Sequence, residues 1–143
     1  VETNYVLRTK YRAGIQSAET RHDLAERSRR EFVENILGTD YTLCVRGGGN
    51  FSVRFYEALA FGRIPVLIDT DCALPYHDLV DWPRYLPWVD ARDVDDAPRL
   101  VADFHARLSN EAFRALQLAC RQLWVDRLSP DGFYAHFHEH FAR

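Results

Sequence analysis

The hydrophobic and polar positions of this chain change period several times, and each change marks an element. Between Ser17 and Leu37, Leu24, Phe32, Val33 and Ile36 fall on one side of a predicted helix whose other side is charged. Asp23 and Arg27, and Arg27 and Glu31, are spaced there to pair at i,i+4. Gly38 ends that pattern. Tyr41 to Val45 is a short apolar, β-prone run that stops at Arg46 and the three glycines Gly47, Gly48 and Gly49. Helical spacing then returns at Phe55, Ala58, Leu59 and Phe61, with Asn50 or Ser52 able to cap the start and Gly62 to end it. Ile64 to Ile68 is a wholly apolar, largely β-branched run of the kind a strand buried on both faces requires. Strand, helix and strand in so short a compass form a βαβ unit, which implies a parallel sheet.

The remaining signals are weaker or purely helical. Asn4 to Leu7 predicts a short strand ahead of the basic segment Arg8, Lys10 and Arg12 and the breaker Gly14. Tyr85 to Val89 predicts one more strand, interrupted by Pro87. From about residue 94 the chain reads as helices over Val94 to Leu108, Asn110 to Arg127 and Pro130 to Phe141. Leu116, Leu123 and Trp124 make a core-facing stripe in the second, and Pro130 suits the start of the third. The expected fold is α/β, a Rossmann-like parallel sheet flanked by helices, in one domain over 1–143.

Composition narrows the class. The 143 residues, 47% of them hydrophobic, suffice for one domain with a real core. A net charge of -3 argues against a general nucleic-acid partner, which wants a basic face. No apolar run approaches the roughly eighteen residues a membrane span needs, and no basic-then-apolar leader opens the sequence, so the domain reads as soluble. Cys44, Cys72 and Cys120 are too few and too scattered for a disulfide framework or a CxxC metal site, and read as buried thiols. A start at Val1 and the absence of methionine suggest part of a longer protein. Lys10 is the only lysine beside many arginines, a bias that fits a GC-rich, bacterial gene.

The glycine loop carries the chemistry. Glycines let a ligand approach the backbone closely, and a helix start presents unpaired N–H groups and the positive end of the helix dipole, which suits an anion. Arg54 in the first helical turn opposes that dipole by roughly 0.3 to 1 kcal/mol, so its position makes most sense with an anion between it and the helix start. Arg46 approaches the same place from the end of the preceding strand. Two guanidiniums plus N–H donors suit a diphosphate. In open α/β sheets ligands bind outside the carboxyl ends of strands, and the loops Arg46 to Ser52 and Asp69 to Tyr76 both lie at such ends, so they should face one cleft. Glu57, one turn past Arg54, can accept hydrogen bonds from a ribose or can simply pair with Arg54. GGGNFS comes close to GxGxxG, but Ser52 replaces the third glycine and no Walker lysine is present.

Other features have plain explanations. Asp69-Thr70-Asp71 forms a DxD but follows a strand, where ordinary loop chemistry outweighs a metal site. His136, His138 and His140 alternate, and His136 with His140 has metal-binding spacing on a helix, but Glu139 is the only acidic partner beside them, which favours surface histidines. Asn50-Phe51-Ser52 is a formal glycosylation sequon in a place where a glycan would block the loop. Phe133, Tyr134, Phe137 and Phe141 have helical spacing and read as packing.

The stretch CVRGGGNFSVRFYEALAFGRIPVLIDTDCALPY resembles the exostosin family of glycosyltransferases. The matching residues are Arg46-Gly47, Ser52, Arg54, Glu57-Ala58-Leu59, Gly62, Ile64-Pro65-Val66, Leu74-Pro75-Tyr76 and Asp81-Trp82. That resemblance implies a GT-B enzyme of two Rossmann-like domains that inverts at the sugar carbon without a required metal or other cofactor. This chain would be the carboxyl-terminal, donor-binding half. Arg46, Gly47, Gly48, Gly49, Asn50, Ser52 and Arg54 would then hold the diphosphate of a nucleotide sugar, with UDP favoured over GDP. Glu57 would bind the ribose, and Asp69, Asp71 and Tyr76 could touch the sugar or acceptor. Gly49 occupies the position where some other GT-B families carry a second acidic residue, so the grip on the donor sugar is open.

The partners implied are the nucleotide sugar, a glycan acceptor and a missing amino-terminal domain that supplies the catalytic base. The location implied is cytoplasmic, at most peripheral to a membrane, in a bacterium, and the Golgi lumen in a eukaryote. Two other readings remain open. One is an NAD-type domain, because Asp69 lies where such a site places its ribose acid; the other is a non-catalytic sugar-nucleotide or interaction module.

Overall fold

The computed structural model describes residues 2–7 and 21–141. The basic segment from Arg8 to Gly14 and the first residues of the predicted Ser17 helix lie outside these. The chain divides into two compact units, Glu2–Asp40 and Tyr41–Arg143.

In the first unit the described part of the predicted helix is present as α1 (Arg21–Leu37). Ile36 is its buried residue, and Gly38 closes the end by donating its N–H to the Glu34 carbonyl at 2.8 Å. The strand predicted over Asn4 to Leu7 does not form. Tyr5, Val6 and Leu7 are exposed and no described strand pairs with them, so their β-prone side chains have no pleated surface to pack on.

The second unit is built on three parallel strands in the order β1 (Tyr41–Cys44), β2 (Ile64–Asp69), β3 (Trp88–Asp90). Tyr41 stands opposite Ile64 and Cys44 opposite Leu67, while Leu67 to Asp69 run beside Trp88 to Asp90. The expected βαβ unit is therefore present, with α2 (Val53–Ala60) as its crossover. Gly62 takes φ +63° just past that helix, a conformation that glycine adopts without a Cβ penalty. β3 starts three residues later than predicted. Residues Trp82–Arg84 form a 3-10 turn, and Pro87, which has no N–H, gives only its carbonyl, to Leu67 N at 3.1 Å.

Ile64 to Ile68 are all buried, so β2 needs cover on both faces. On one face Phe55, Ala58 and Leu59 of α2 pack with Cys44, Leu67, Trp82, Leu86 and Cys120. On the other, Val66, Ile68 and Val89 meet Val101 of α3 (Ala97–Ala106). The predicted helix from Val94 opens instead as a 3-10 segment, Ala91–Asp96, with a non-helical Asp93. α4 (Asn110–Leu123) closes the α2 face, and its Arg121 donates to the Ala60 carbonyl at the end of α2.

α4 does not run straight to Arg127. It widens into a π-helical turn, Trp124–Leu128, where Ser129 N reaches the Trp124 carbonyl at 2.7 Å. Ser129 then caps α5 (Pro130–Ala135) by accepting from Gly132 N at 3.0 Å, and donates its own hydroxyl to the Val125 carbonyl at 2.9 Å. The predicted third helix stops at His136 and continues only as a 3-10 turn, Phe137–His140. Phe133, Tyr134, Phe137 and Phe141 do stack on one another but remain exposed, so that stripe is not core.

Of the three thiols expected to be buried, Cys44 and Cys120 are, whereas Cys72 is only half-buried. Burial pushes the Cys44 and Cys120 thiols up to about 12. Iodoacetamide on the native protein at pH 8 is expected to modify Cys72 first and to reach Cys44 and Cys120 only on unfolding; equal labelling of all three by mass spectrometry would contradict this burial pattern. Gly132 supplies a second check. A Cβ there would strike the Val125 carbonyl and come within 2.6 Å of Asp126 C, all backbone. Gly132→Ala should therefore destabilise by about 1 to 3 kcal/mol in urea titration, against the gain of up to about 1 kcal/mol that alanine gives an ordinary helix.

Candidate functional site

The carboxyl ends of β1 and β2 point the same way, so the two loops that leave them are neighbours. After β1 come Val45 and Arg46, both exposed, and the glycines. Gly47 N donates to the Phe51 carbonyl at 3.1 Å, closing the loop on itself. A Cβ on Gly47 or Gly48 would meet nothing within 4 Å, and among the described residues Gly62 is the one glycine at positive φ. Among the described residues, neither crowding nor a positive φ therefore asks for glycine at 47 and 48.

Ser52 occupies the N-cap position of α2 in an extended conformation, but its side chain makes no capping bond. The first turn of α2 thus lacks the side-chain acceptor that most such helix starts carry. The other expected cap, Asn50, is used elsewhere. Its Nδ2 donates to the Asp71 carbonyl at 3.0 Å and its Oδ1 accepts from the Thr70 hydroxyl at 2.6 Å. This clasp ties the glycine loop to the loop after β2, so the two loops are neighbours as expected. Thr70 was not singled out in the sequence; the available signal was that both loops end adjacent parallel strands. The same bonds occupy the Asn50 amide within the sequon.

Arg54 Nε lies 3.5 Å from Glu57 Oε2, so the local pairing is made. Both side chains are more than a third exposed, and such a pair contributes about 0 to 1 kcal/mol. A phosphate accepting charge-assisted hydrogen bonds of about 1.5 to 3 kcal/mol each can outcompete it. Arg54 and Cys44 are also close enough to interact, the guanidinium opposing the dominant effect of burial on that thiol.

The second loop is organised by Asp69. Its Oδ1 accepts from Cys72 N at 3.2 Å and its Oδ2 from Trp88 Nε1 at 3.1 Å. Burial raises the Cys72 thiol, and the Asp69 carboxylate adds to that effect. Asp71 sits exposed at φ +57°. Tyr76 is placed differently: it is buried at φ +52°, its hydroxyl donates to the Arg127 carbonyl at 3.3 Å, and the Arg127 guanidinium lies over its ring. Trp82 explains the Asp81-Trp82 part of the pattern. Its indole donates to the Pro75 carbonyl at 2.9 Å while the ring packs on Phe55 at 5.1 Å, so it fixes the second loop to α2. Between the loops is a small hollow lined by Ser52, Phe55, Tyr56, Leu67, Cys72 and Leu74.

The carboxyl-terminal histidines are apart from this cleft. His136 Nδ1 is 2.7 Å from Glu139 Oε1, whose other oxygen accepts from Arg127 at 2.6 Å. The hydrogen bond from His136, then that from Arg127, holds Glu139 below the usual carboxylate range. Among the described residues no three His, Cys, Asp or Glu side chains come together as a metal would need. No described helix is long and apolar enough to cross a membrane.

The Asn50 clasp is open to a direct check. Asn50→Ala is expected to cost about 1 kcal/mol per lost hydrogen bond and to speed amide exchange at Gly48 to Ser52 and Thr70 to Cys72 together. Faster exchange in one loop alone would show that the loops are not coupled.

The comparisons with known proteins bear on the same residues. The model of the Exostosin GT47 domain matches residues 7–104. Exostosin-1 of Drosophila melanogaster is 32% identical over 110 residues, which is 77% of this chain and 14% of that protein. A probable glucuronosyltransferase of Oryza sativa subsp. japonica is 35% identical over 78 residues, 54% of this chain and 17% of its own length. A probable beta-1,4-xylosyltransferase of Arabidopsis thaliana is 33% identical over 72 residues, 50% of this chain and 17% of that protein. The chain thus spans between 14% and 17% of the length of these relatives. The family match takes in β1, α2, β2, β3 and nearly all of α3, and with them both loops of the cleft: this chain belongs to the exostosin GT47 family.

Proposed function

We infer that the chain is the donor-binding portion of a glycosyltransferase and grips the diphosphate of a nucleotide sugar. The observation that carries this reading is the first turn of α2, whose N-cap makes no side-chain capping bond, set beside two glycines at which a Cβ would meet nothing within 4 Å among the described residues. Arg46 and Arg54 supply the cations, and the helix start supplies N–H donors. Its place in this reading is the carboxyl-terminal half of a GT-B enzyme, which is what the resemblance of the Arg46 to Trp82 stretch to the family implies.

In this reading the acceptor hydroxyl oxygen attacks the sugar's anomeric carbon from the face opposite the leaving group. The bond from that carbon to the phosphate oxygen breaks, and the configuration inverts. The hydroxyl proton passes to a base contributed by a part of the enzyme beyond these residues. Negative charge grows on the departing nucleoside diphosphate, where Arg54, Arg46 and the helix start stabilise it more than they stabilise the ground state. These groups supply the charge stabilisation that the leaving group needs, and the reading requires no metal. Glu57 exchanges its pairing with Arg54 for the ribose hydroxyls. UDP is the favoured carrier, and the names of the rice and Arabidopsis relatives suggest glucuronosyl or xylosyl donors with a glycan acceptor.

The NAD-type alternative is weakened by Asp69, whose two oxygens already accept from Cys72 N and Trp88 Nε1. Calorimetry with UDP, GDP and NAD separates the readings. UDP is expected to bind; NAD binding without either diphosphate would sink the transferase reading, and binding without turnover in the full enzyme would favour a silent module. Arg54→Ala should weaken UDP by roughly tenfold or more, the equivalent of one charge-assisted hydrogen bond, with the melting curve unchanged. Glu57→Gln should weaken UDP more than free pyrophosphate.

A further inference from the structure

The carboxyl end of β3 carries a constellation that neither the diphosphate cradle nor the loop clasp uses. Asp69 and Asp90 are register partners, which places two carboxylates side by side on one face of the sheet. Like charges directly opposite one another on a sheet are destabilising, and nothing in the packing of the strands calls for them. Each carboxylate is used to fix a larger side chain. Asp69 Oδ2 accepts from the indole N–H of Trp88, and Asp90 accepts from Arg92 Nε at 2.9 Å, Arg92 N at 2.9 Å and Arg92 Nη2 at 2.5 Å.

The groups so held remain accessible. Trp88 is 37% exposed, and because its N–H is spent on Asp69 it can offer a ligand only its ring. The Arg92 side chain is 87% exposed and keeps Nη1 for another acceptor. Trp88 and Asp90 are two residues apart on one face of β3, about 7 Å, roughly the span of a sugar ring. Asp71, tied to the glycine loop through Asn50, lies close enough for its charge to favour the protonated Arg92 guanidinium.

We propose that Trp88 and Arg92, oriented by Asp69 and Asp90, form a pyranose subsite beside the diphosphate cradle, and that it takes an uncharged sugar in preference to a uronate. The C–H face of a pyranose packs on the indole, a sugar hydroxyl accepts from Arg92, and another donates to Asp71. The preference follows from charge. Asp69, Asp71 and Asp90 outnumber Arg92, so a sugar carboxylate meets net repulsion, whereas hydroxyl groups find acceptors. The cleft is then divided, with its cations at the phosphate end and its carboxylates at the sugar end. This inference rests on the donor-site reading only for whether the pyranose arrives on a nucleotide or as part of a free glycan.

The test is calorimetry on the 143-residue chain with UDP, UDP-xylose, UDP-glucuronic acid and xylotetraose, chosen because xylose and glucuronate differ by the C5 carboxylate. The variants are Trp88→Ala, Trp88→Phe and Arg92→Gln, checked for folding by circular dichroism. Wild type should bind UDP-xylose tighter than UDP-glucuronic acid. Trp88→Ala and Arg92→Gln should each weaken UDP-xylose or xylotetraose by about tenfold, the effect of one good contact, while UDP changes by less than about twofold and Trp88→Phe retains most of the sugar affinity. Binding of xylotetraose but not UDP supports the subsite and sinks the donor reading. Binding of UDP with no gain from either attached sugar and no binding of xylotetraose overturns the subsite and leaves the donor reading standing. Variants indistinguishable from wild type toward every sugar overturn it, as does a preference for UDP-glucuronic acid that Arg92→Gln removes.

Discussion

The burial of β2 on both faces constrains everything else in the second unit. Ile64 to Ile68 present no polar side chain, so their backbone hydrogen bonds must be met by strands on both sides and their side chains by helices above and below. β1 and β3 meet the first requirement. Phe55, Ala58 and Leu59 of α2 meet part of the second on one face, and Val101 of α3 meets it on the other. Because all three strands run parallel, their carboxyl ends and the loops leaving them gather at one edge. The cleft is a consequence of that packing.

What the edge can do depends on how its charges are arranged. Arg46 and Arg54 belong to the glycine loop and the start of α2, whereas Asp69, Asp71 and Asp90 belong to the ends of β2 and β3. Asn50 bridges the two sets by bonding both Thr70 and Asp71. Its amide serves better than a charged group would, since one side chain both donates and accepts without favouring either end. The pairing of Arg54 with Glu57 is exposed, and such a pair contributes little to stability. The pairing of Arg92 with Asp90 serves another end: it leaves the guanidinium in place and fixes its orientation.

Residues beyond the family match also contribute to this arrangement. Cys120 of α4 is in the same buried cluster as Phe55 and Leu59, and Arg121 closes the end of α2. The π-turn at Trp124–Leu128 brings Arg127 to Tyr76, where its carbonyl and guanidinium hold a residue at positive φ. The last loop of the cleft is thereby anchored to the helical end of the chain.

The local signals read from the sequence were the ones set by residues close together. The period of Phe55, Ala58 and Leu59, the stop at Gly62, the apolar run of β2 and the parallel unit they form could all be read from it, because backbone preference and hydrophobic period act over a few residues. The expectation of an anion at this loop came from the same short range, since a cation at a helix start is a conflict visible in one turn. Tertiary structure decided the rest. The strand expected at Asn4 to Leu7 failed for want of a partner, β3 moved past Pro87, and Tyr76 turned inward to Arg127. Asn50 gave up a cap for a bond to Thr70, and Asp69 took the indole of Trp88. Each of these outcomes was settled by which distant group arrived within hydrogen-bond reach, and no pattern within a single stretch records that distance.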